Sequence, residues 1–204
     1  EKKNSSVRAL CYQLYENNGV LKRDLVNEFT KKLSQDDRKL LRNKGVKIGR
    51  YHVYLHRILK PSAVTLRILL WKNFFRKNLS LNPPKFGLNF FVEKNFNQKF
   101  MLICGFEKFN DYYVRIDILE RLFIKIIENT KDDKIKLNSD MINLLGSSTE
   151  NFTNLLKLMN YKFENKNKDN ETYFSYKPKR MKNKNIKKIN KNNPFDILSS
   201  VNFK

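Results

Sequence analysis

Gly45–Lys77 reads GVKIGRYHVYLHRILKPSAVTLRILLWKNFFRK, and its punctuation decides the local fold. Val46–Leu55 alternates around Gly49-Arg50, which predicts a short hairpin or a single bent strand. Pro61 suits the first position of a helix, where its missing N–H costs nothing. That helix is expected to end before Asn78 and to bury Leu66, Leu69, Leu70 and Phe74. Lys47, Arg50, Tyr51, Tyr54, Arg57, Lys60 and Arg67 interleave cations with rings along the stretch. Cations beside stackable rings suit single-stranded nucleic acid, because every base offers a π face. They suit equally well a half-buried strand whose rings pack and whose cations line the rim.

Upstream, Val7, Leu10, Cys11, Leu14 and Tyr15 keep helical spacing until Gly19. Leu25, Phe29 and Leu33 continue on a second helix. Ser34-Gln35-Asp36-Asp37 has the form of a capping box, which starts a third helix that Gly45 breaks. Downstream, Pro83-Pro84 and Gly87 mark residues 78–98 as an internal linker. Phe100–Phe106 and Tyr112–Ile116 are expected to pair as a hairpin turning near Asn110-Asp111. Ile118, Leu119, Leu122, Phe123 and Ile126 form one helix face, with Glu120, Arg121, Lys125 and Glu128 on the wet one. Ser139–Leu145 is a short helix that Gly146 stops. Ser147–Glu150 caps another, carrying Phe152, Leu155, Leu156 and Met159. Tyr161–Glu164 and Thr172–Tyr176 flank a polar loop as a second hairpin. Helix, short turn, helix, hairpin is the order of a winged helix-turn-helix.

The expected fold is therefore α+β and mainly helical, in two small helix-plus-hairpin modules. The first spans 1–77, the linker 78–98, and the second, winged-helix-like, 99–176. No internal repeat stands out at a solenoid period. A basic disordered tail, 177–204, completes the chain. Lys177–Asn193 holds eight basic residues, five Asn and no acid, with too few apolar groups to fold alone. Asn193-Pro194-Phe195-Asp196-Ile197-Leu198 is a short apolar end that could dock back or meet a partner.

The charge narrows the partners. Across 204 residues, 42 Lys and Arg against 20 Asp and Glu leave a formal net charge of +22, which attracts polyanions at long range. Nucleic acid comes first and an anionic membrane surface second. Heavy use of Lys, Asn, Ile and Phe also fits an AT-rich genome, so part of the bias could be compositional. No apolar run approaches the roughly 18 residues that a spanning helix needs. The first residues, Glu1-Lys2-Lys3-Asn4, are not a signal peptide, and without an initiator Met the chain is expected to start inside a longer protein. Cys11 and Cys104 each lie in an apolar run and are expected as small core residues in a reducing cytoplasm.

Catalytic signatures are missing. There is no G-x-x-x-x-G-K-[ST] and no G-x-G-x-x-G, and Gly45–Gly49 has β-branched neighbours that do not suit a phosphate loop. His52 and His56 are four apart without the carboxylate of a zinc helix. Asp36-Asp37 and Asp132-Asp133 fit caps or solvated turns better than a two-metal site. The expected site is thus a contact surface: Lys47, Arg50, Tyr51, Arg57, Lys60 and Arg67, with Lys177, Lys179, Arg180, Lys182, Lys184, Lys187 and Lys188 of the tail adding sequence-blind grip. If roughly 4 tail charges neutralise phosphates, log affinity falls on log salt with a slope of about −3.6. In the second module Thr153, Asn154 and Lys157 face outward with Glu150. One cation there is a poor reader of bases.

Several blocks resemble one family. They are VRALCYQL (7–14), GVKIG (45–49), VYLHRILKP (53–61), LLW (69–71), ICGF (103–106), VRIDILERL (114–122) and MINLLGSSTENFTNLLKLMNYK (141–162). In this order the chain resembles the C-terminal accessory region of alphaproteobacterial superfamily-two helicases. These are DEAD/DEAH-type ATP-dependent proteins related to the RNA helicase of the mitochondrial degradosome. His56 stands where the family tends to have Pro. The resemblance implies a bacterial parent that unwinds RNA or DNA with ATP and Mg, bound in motor domains in cis rather than in this chain. It implies nothing catalytic and no cofactor here: the region would guide single-stranded nucleic acid beside the motor. The alternatives are a stand-alone basic winged-helix protein that binds nucleic acid, a protein-docking module, and last a nuclease.

Overall fold

Local sequence signals build the first unit one element at a time. The computed structural model describes residues 5–75, 82–94, 97–131, 134–166 and 172–176. Helix α1 (Ser5–Glu16) buries Val7, Leu10 and Leu14. Cys11 falls on its exposed side rather than in the core, as do Tyr12 and Tyr15. A strand that helical spacing concealed, β1 (Val20–Lys22), follows at once, then a 3-10 turn over Arg23–Val26 and the short helix α2 (Asn27–Lys31). Leu25, expected on a buried helix face, lies exposed on that turn. Helix α3 (Gln35–Asn43) starts on the capping box: Asp37 N–H donates to Ser34 Oγ, and Ser34 N–H donates to the Asp37 carboxylate, each at 3.1 Å. Such a cap contributes about 1 kcal/mol. The hairpin is β2 (Val46–Ile48) and β3 (His52–Leu55), with Lys47 opposite Tyr54. The sheet runs β1-β3-β2, all antiparallel.

Helix α4 (Pro61–Phe75) begins on Pro61 as expected, but its buried side is Val64, Arg67, Ile68 and Trp71. Leu66, Leu69, Leu70 and Phe74 face outward, at 55%, 56%, 57% and 80% exposure. The helix is apolar on nearly every side, so periodicity alone does not choose the face; the core of the second unit does. Val64, Ile68 and Trp71 pack there with Phe100, Met101 and Tyr113. Within the segment expected as linker, residues 90–92 form a strand, β4 (Phe90–Val92). The expected first strand of the next hairpin is instead mostly helix α5 (Gln98–Ile103), which Asn97 caps by accepting from Lys99 N–H and Phe100 N–H. The hairpin itself is β5 (Phe106–Phe109) and β6 (Tyr112–Arg115), and the sheet order is β4-β6-β5.

Helix α6 (Ile116–Glu128) opens the third unit and buries Ile118, Leu119, Leu122 and Ile126. A short pair, β7 (Thr130–Lys131) and β8 (Lys134–Lys136), leads to α7 (Ser139–Leu145) and α8 (Thr149–Leu158). Gly146 ends α7 with φ +68, a left-handed cap that glycine adopts without a Cβ penalty. Ser148 caps α8 by accepting from Asn151 N–H. Phe152, Leu155, Leu156 and Met159 are buried as expected. Strands β9 (Tyr161–Lys166) and β10 (Thr172–Tyr176) pair as the expected hairpin, and the sheet reads β7-β8-β10-β9.

The chain is thus α+β, with eight α-helices and three small antiparallel sheets among the described residues. The opening helices begin at 5, 61 and 116, which is 56 and then 55 residues apart (61−5, 116−61). Each leads to a sheet whose last strand lies between the two hairpin partners that precede it. That repeat is topological; no side-chain pattern announces it. An apolar junction ties the units together, with Val20 and Tyr54 of the first packed on Ile116 of the third and Leu102 of the second against them. No helix among the described residues is long and apolar enough to cross a membrane. The tail cations Lys177–Lys188, the apolar end, and Asp132-Asp133 lie outside the described residues.

Candidate nucleic-acid interface

The β2–β3 turn and the first half of α6 face each other, and the contact is ionic and buried. Glu120, expected on the wet side of its helix, is only 7% exposed. Its carboxylate accepts from three consecutive backbone N–H groups of the turn, those of Arg50, Tyr51 and His52, the last two at 2.9 Å each. Gly49 makes this approach possible. A Cβ there would stand 2.2 Å from the Glu120 carboxyl carbon and within 2.6 Å of both its oxygens, inside any permitted contact.

His52 completes the node. Its Nε2 lies 2.8 Å from Glu107 of β5, and its Nδ1 is 3.7 Å from Glu120. Lys22 of β1 donates to the other Glu107 oxygen at 2.7 Å. Burial alone would favour neutral His52, yet the two carboxylates outweigh it and hold the imidazole pKa above the usual value. Burial likewise pushes Glu107 and Glu120 up, but His52, Lys22 and the backbone donors bring both below the usual carboxylate range. His52, Glu107 and Glu120 come from the first, second and third units in turn. Among the described residues no group of three or more such side chains is arranged to hold a metal ion.

Beside this node opens a cleft of 1170 Å³ between the hairpin, the 3-10 turn after it (His56–Leu59) and α6. Nine cations line it: Arg23, Arg42, Lys44, Lys47, Arg50, Arg57, Lys60, Arg115 and Arg121. Its two carboxylates are both engaged. Asp117 takes a bidentate grip from Arg115, at 2.7 and 3.1 Å, and Glu120 is committed to the turn and His52. Like charges gathered around low-dielectric walls focus the field and draw in polyanions. Arg23 also braces the hairpin, donating to Gly49 O at 2.8 Å.

Four of the expected contact residues, Lys47, Arg50, Arg57 and Lys60, line this one cleft, and all four are exposed. Tyr51 lies next to it, edge-on to Phe123 at 5.7 Å between centroids. Arg67 does not join them. It is buried on the inner face of α4, its three guanidinium nitrogens have no hydrogen-bond partner, and burial lowers its pKa to about 10. Periodicity failed there because α4 turned the opposite face inward. Arg42, Lys44, Arg115 and Phe123 were missed: each reads singly as a solvated or packing residue, and only tertiary contact gathers them. Compared with known proteins, the chain matches no family model, no curated protein and no solved structure.

Proposed function

We propose that this chain is a non-catalytic nucleic-acid-binding region that holds a single strand in the cleft between the β2–β3 hairpin and α6. The observation that carries the proposal is the charge of that cleft: nine cations face two carboxylates that already have partners. Long flexible cations around an open groove suit a phosphate backbone, which neutralises them with release of counterions. The unit topology supports the same reading. In the first and third units helices precede a hairpin, and the closing strand sits centrally, as in winged-helix modules. The resemblance adds an ATP-driven motor in cis as the source of the strand. A reading frame before Glu1 with no phosphate loop would remove that part alone.

Fluorescence anisotropy with labelled oligonucleotides over a salt series tests the binding. In the full chain, the double variant Arg57→Glu, Lys60→Glu should weaken binding to any sequence and flatten the log–log salt slope by about 2, one for each lost phosphate contact. Both side chains are exposed, so the unfolding midpoint should not move. Unchanged affinity and slope would refute the cleft as the interface. Preference for duplex over single strands would favour the stand-alone winged-helix alternative.

A further inference from the structure

On the far side of the β2–β3 turn, the wall of the cleft becomes the wall of a second, less basic pocket. It has a volume of 570 Å³, within the roughly 300–1,000 Å³ typical of small-molecule sites. Four rings line it: Tyr51 from the turn, Phe123 from α6, and Tyr161 and Tyr176 from the strands β9 and β10. Tyr161 is buried and supports Tyr176, with centroids 5.1 Å apart. Tyr176 is 46% exposed, so its ring is open to a partner. Arg50 and Phe123 belong to both cavities, and the Arg50 guanidinium carbon lies 5.7 Å from the centre of the Phe123 ring.

Ser175 also borders the pocket, but strand alternation turns its side chain to the other face of β10, between its partners Lys134 and Lys162. Glu164 stands at the same pocket as its carboxylate. Rings for stacking and a cation shared with the basic cleft match one chemistry: a planar heterocycle attached to a phosphate.

We propose that this pocket takes an unstacked nucleobase, turned out of the strand whose phosphates run through the basic cleft, with Arg50 at the junction. The proposal rests on the nucleic-acid reading of the cleft. It also explains why the substrate should be single-stranded, since a paired base would first have to leave its stack.

Two probes of equal charge separate base from backbone: an oligothymidine and an abasic oligomer with the same number of phosphates. Tyr176→Ala in the full chain should weaken oligothymidine binding about tenfold, within the roughly 1–3 kcal/mol that stacking one base contributes. The abasic oligomer should bind that variant as well as the native chain. Tyr176→Phe, which keeps the ring, should bind oligothymidine as the native chain does. Equal loss for both probes would mean that the pocket acts through the fold or receives a protein side chain, and the base pocket falls. No loss for either probe overturns it too. Arg57→Glu with Lys60→Glu should weaken both probes alike. If it does so while the pocket variants change nothing, the cleft stands and only the pocket is lost. If neither probe responds to the charge reversal, the cleft reading itself has failed.

Discussion

The hairpin and the helix that share Gly45–Lys77 differ in how far their own residues fix which side faces inward. In β2–β3 the alternation allowed a hairpin or one bent strand, and the chain forms the hairpin: Val46 and Val53 are buried, Lys47 and Arg50 are exposed, and the turn lies at Gly49-Arg50. In α4 nearly every position except Arg67, Lys72 and a few small polar residues is apolar, and the inward face is Val64-Arg67-Ile68-Trp71. In β2 the exposed Lys47 marks the outer side of a period-two strand, whereas β3, the central strand, buries His52, Val53 and Tyr54 alike. A helix apolar all round presents no such contrast. Its orientation comes from outside, from Phe100 and Tyr113.

The largest expected effect would break the hairpin side of this contrast. Glu120→Ala removes the acceptor of three turn N–H groups and leaves His52 with one carboxylate fewer. Losing one member of a buried ionic network costs about 3–5 kcal/mol, so the thermal midpoint should fall steeply. A loss below about 1 kcal/mol, the scale of an exposed ion pair, would mean that water replaces the carboxylate and that the turn is not held as described. On the helix side, Ile68→Ala should cost about 2–3 kcal/mol as a core truncation, whereas Leu69→Ala should stay within about 0.5 kcal/mol. Chemical denaturation of the two variants checks the order. Reversal would restore the Leu66-Leu69-Leu70 face to the interior.

The gentlest effect is a slope. His52 titrates higher in the folded chain than its ordinary 6.5. Its contribution is therefore complete below about pH 6.5 and is lost as pH rises through the raised folded value. Glu107 and Glu120 titrate below 4.5; their contribution is complete above about pH 4.5 and is lost as pH falls through the lowered values. Thermal midpoints should be highest between these limits. In His52→Gln the decline on the alkaline side should disappear while the acid limb persists. A native alkaline limb as flat as the variant's would show that His52 does not carry that proton.

What could be read from the chain follows the same division. Caps and turn residues act locally, so Ser34, Gly45, Pro61, Asn110 and Gly146 could be placed from their neighbours alone. The buried face of α8 was legible because polar residues bracket it. Glu120 was not. It sits among Arg121, Lys125 and Glu128 in a pattern of solvated charge, and only the turn of another unit draws it inside. Phe100–Phe106 misled for a different reason: FMLIC (100–104) suits strand and helix alike, and Asn97 decides the matter by capping α5. Half of the cleft was visible as Lys47, Arg50, Arg57 and Lys60. Its opposite wall required knowing that α6 lies across from the hairpin.

His52, Glu107 and Glu120 come one from each unit, so the three copies of a common plan are keyed to one another. None can be excised, exchanged or grafted elsewhere without stranding a charge in the remaining two. A shortened version of this protein that ends between units should therefore be less stable than its own apolar core would suggest. In any lineage of such chains, positions 52, 107 and 120 should change together or stay as they are.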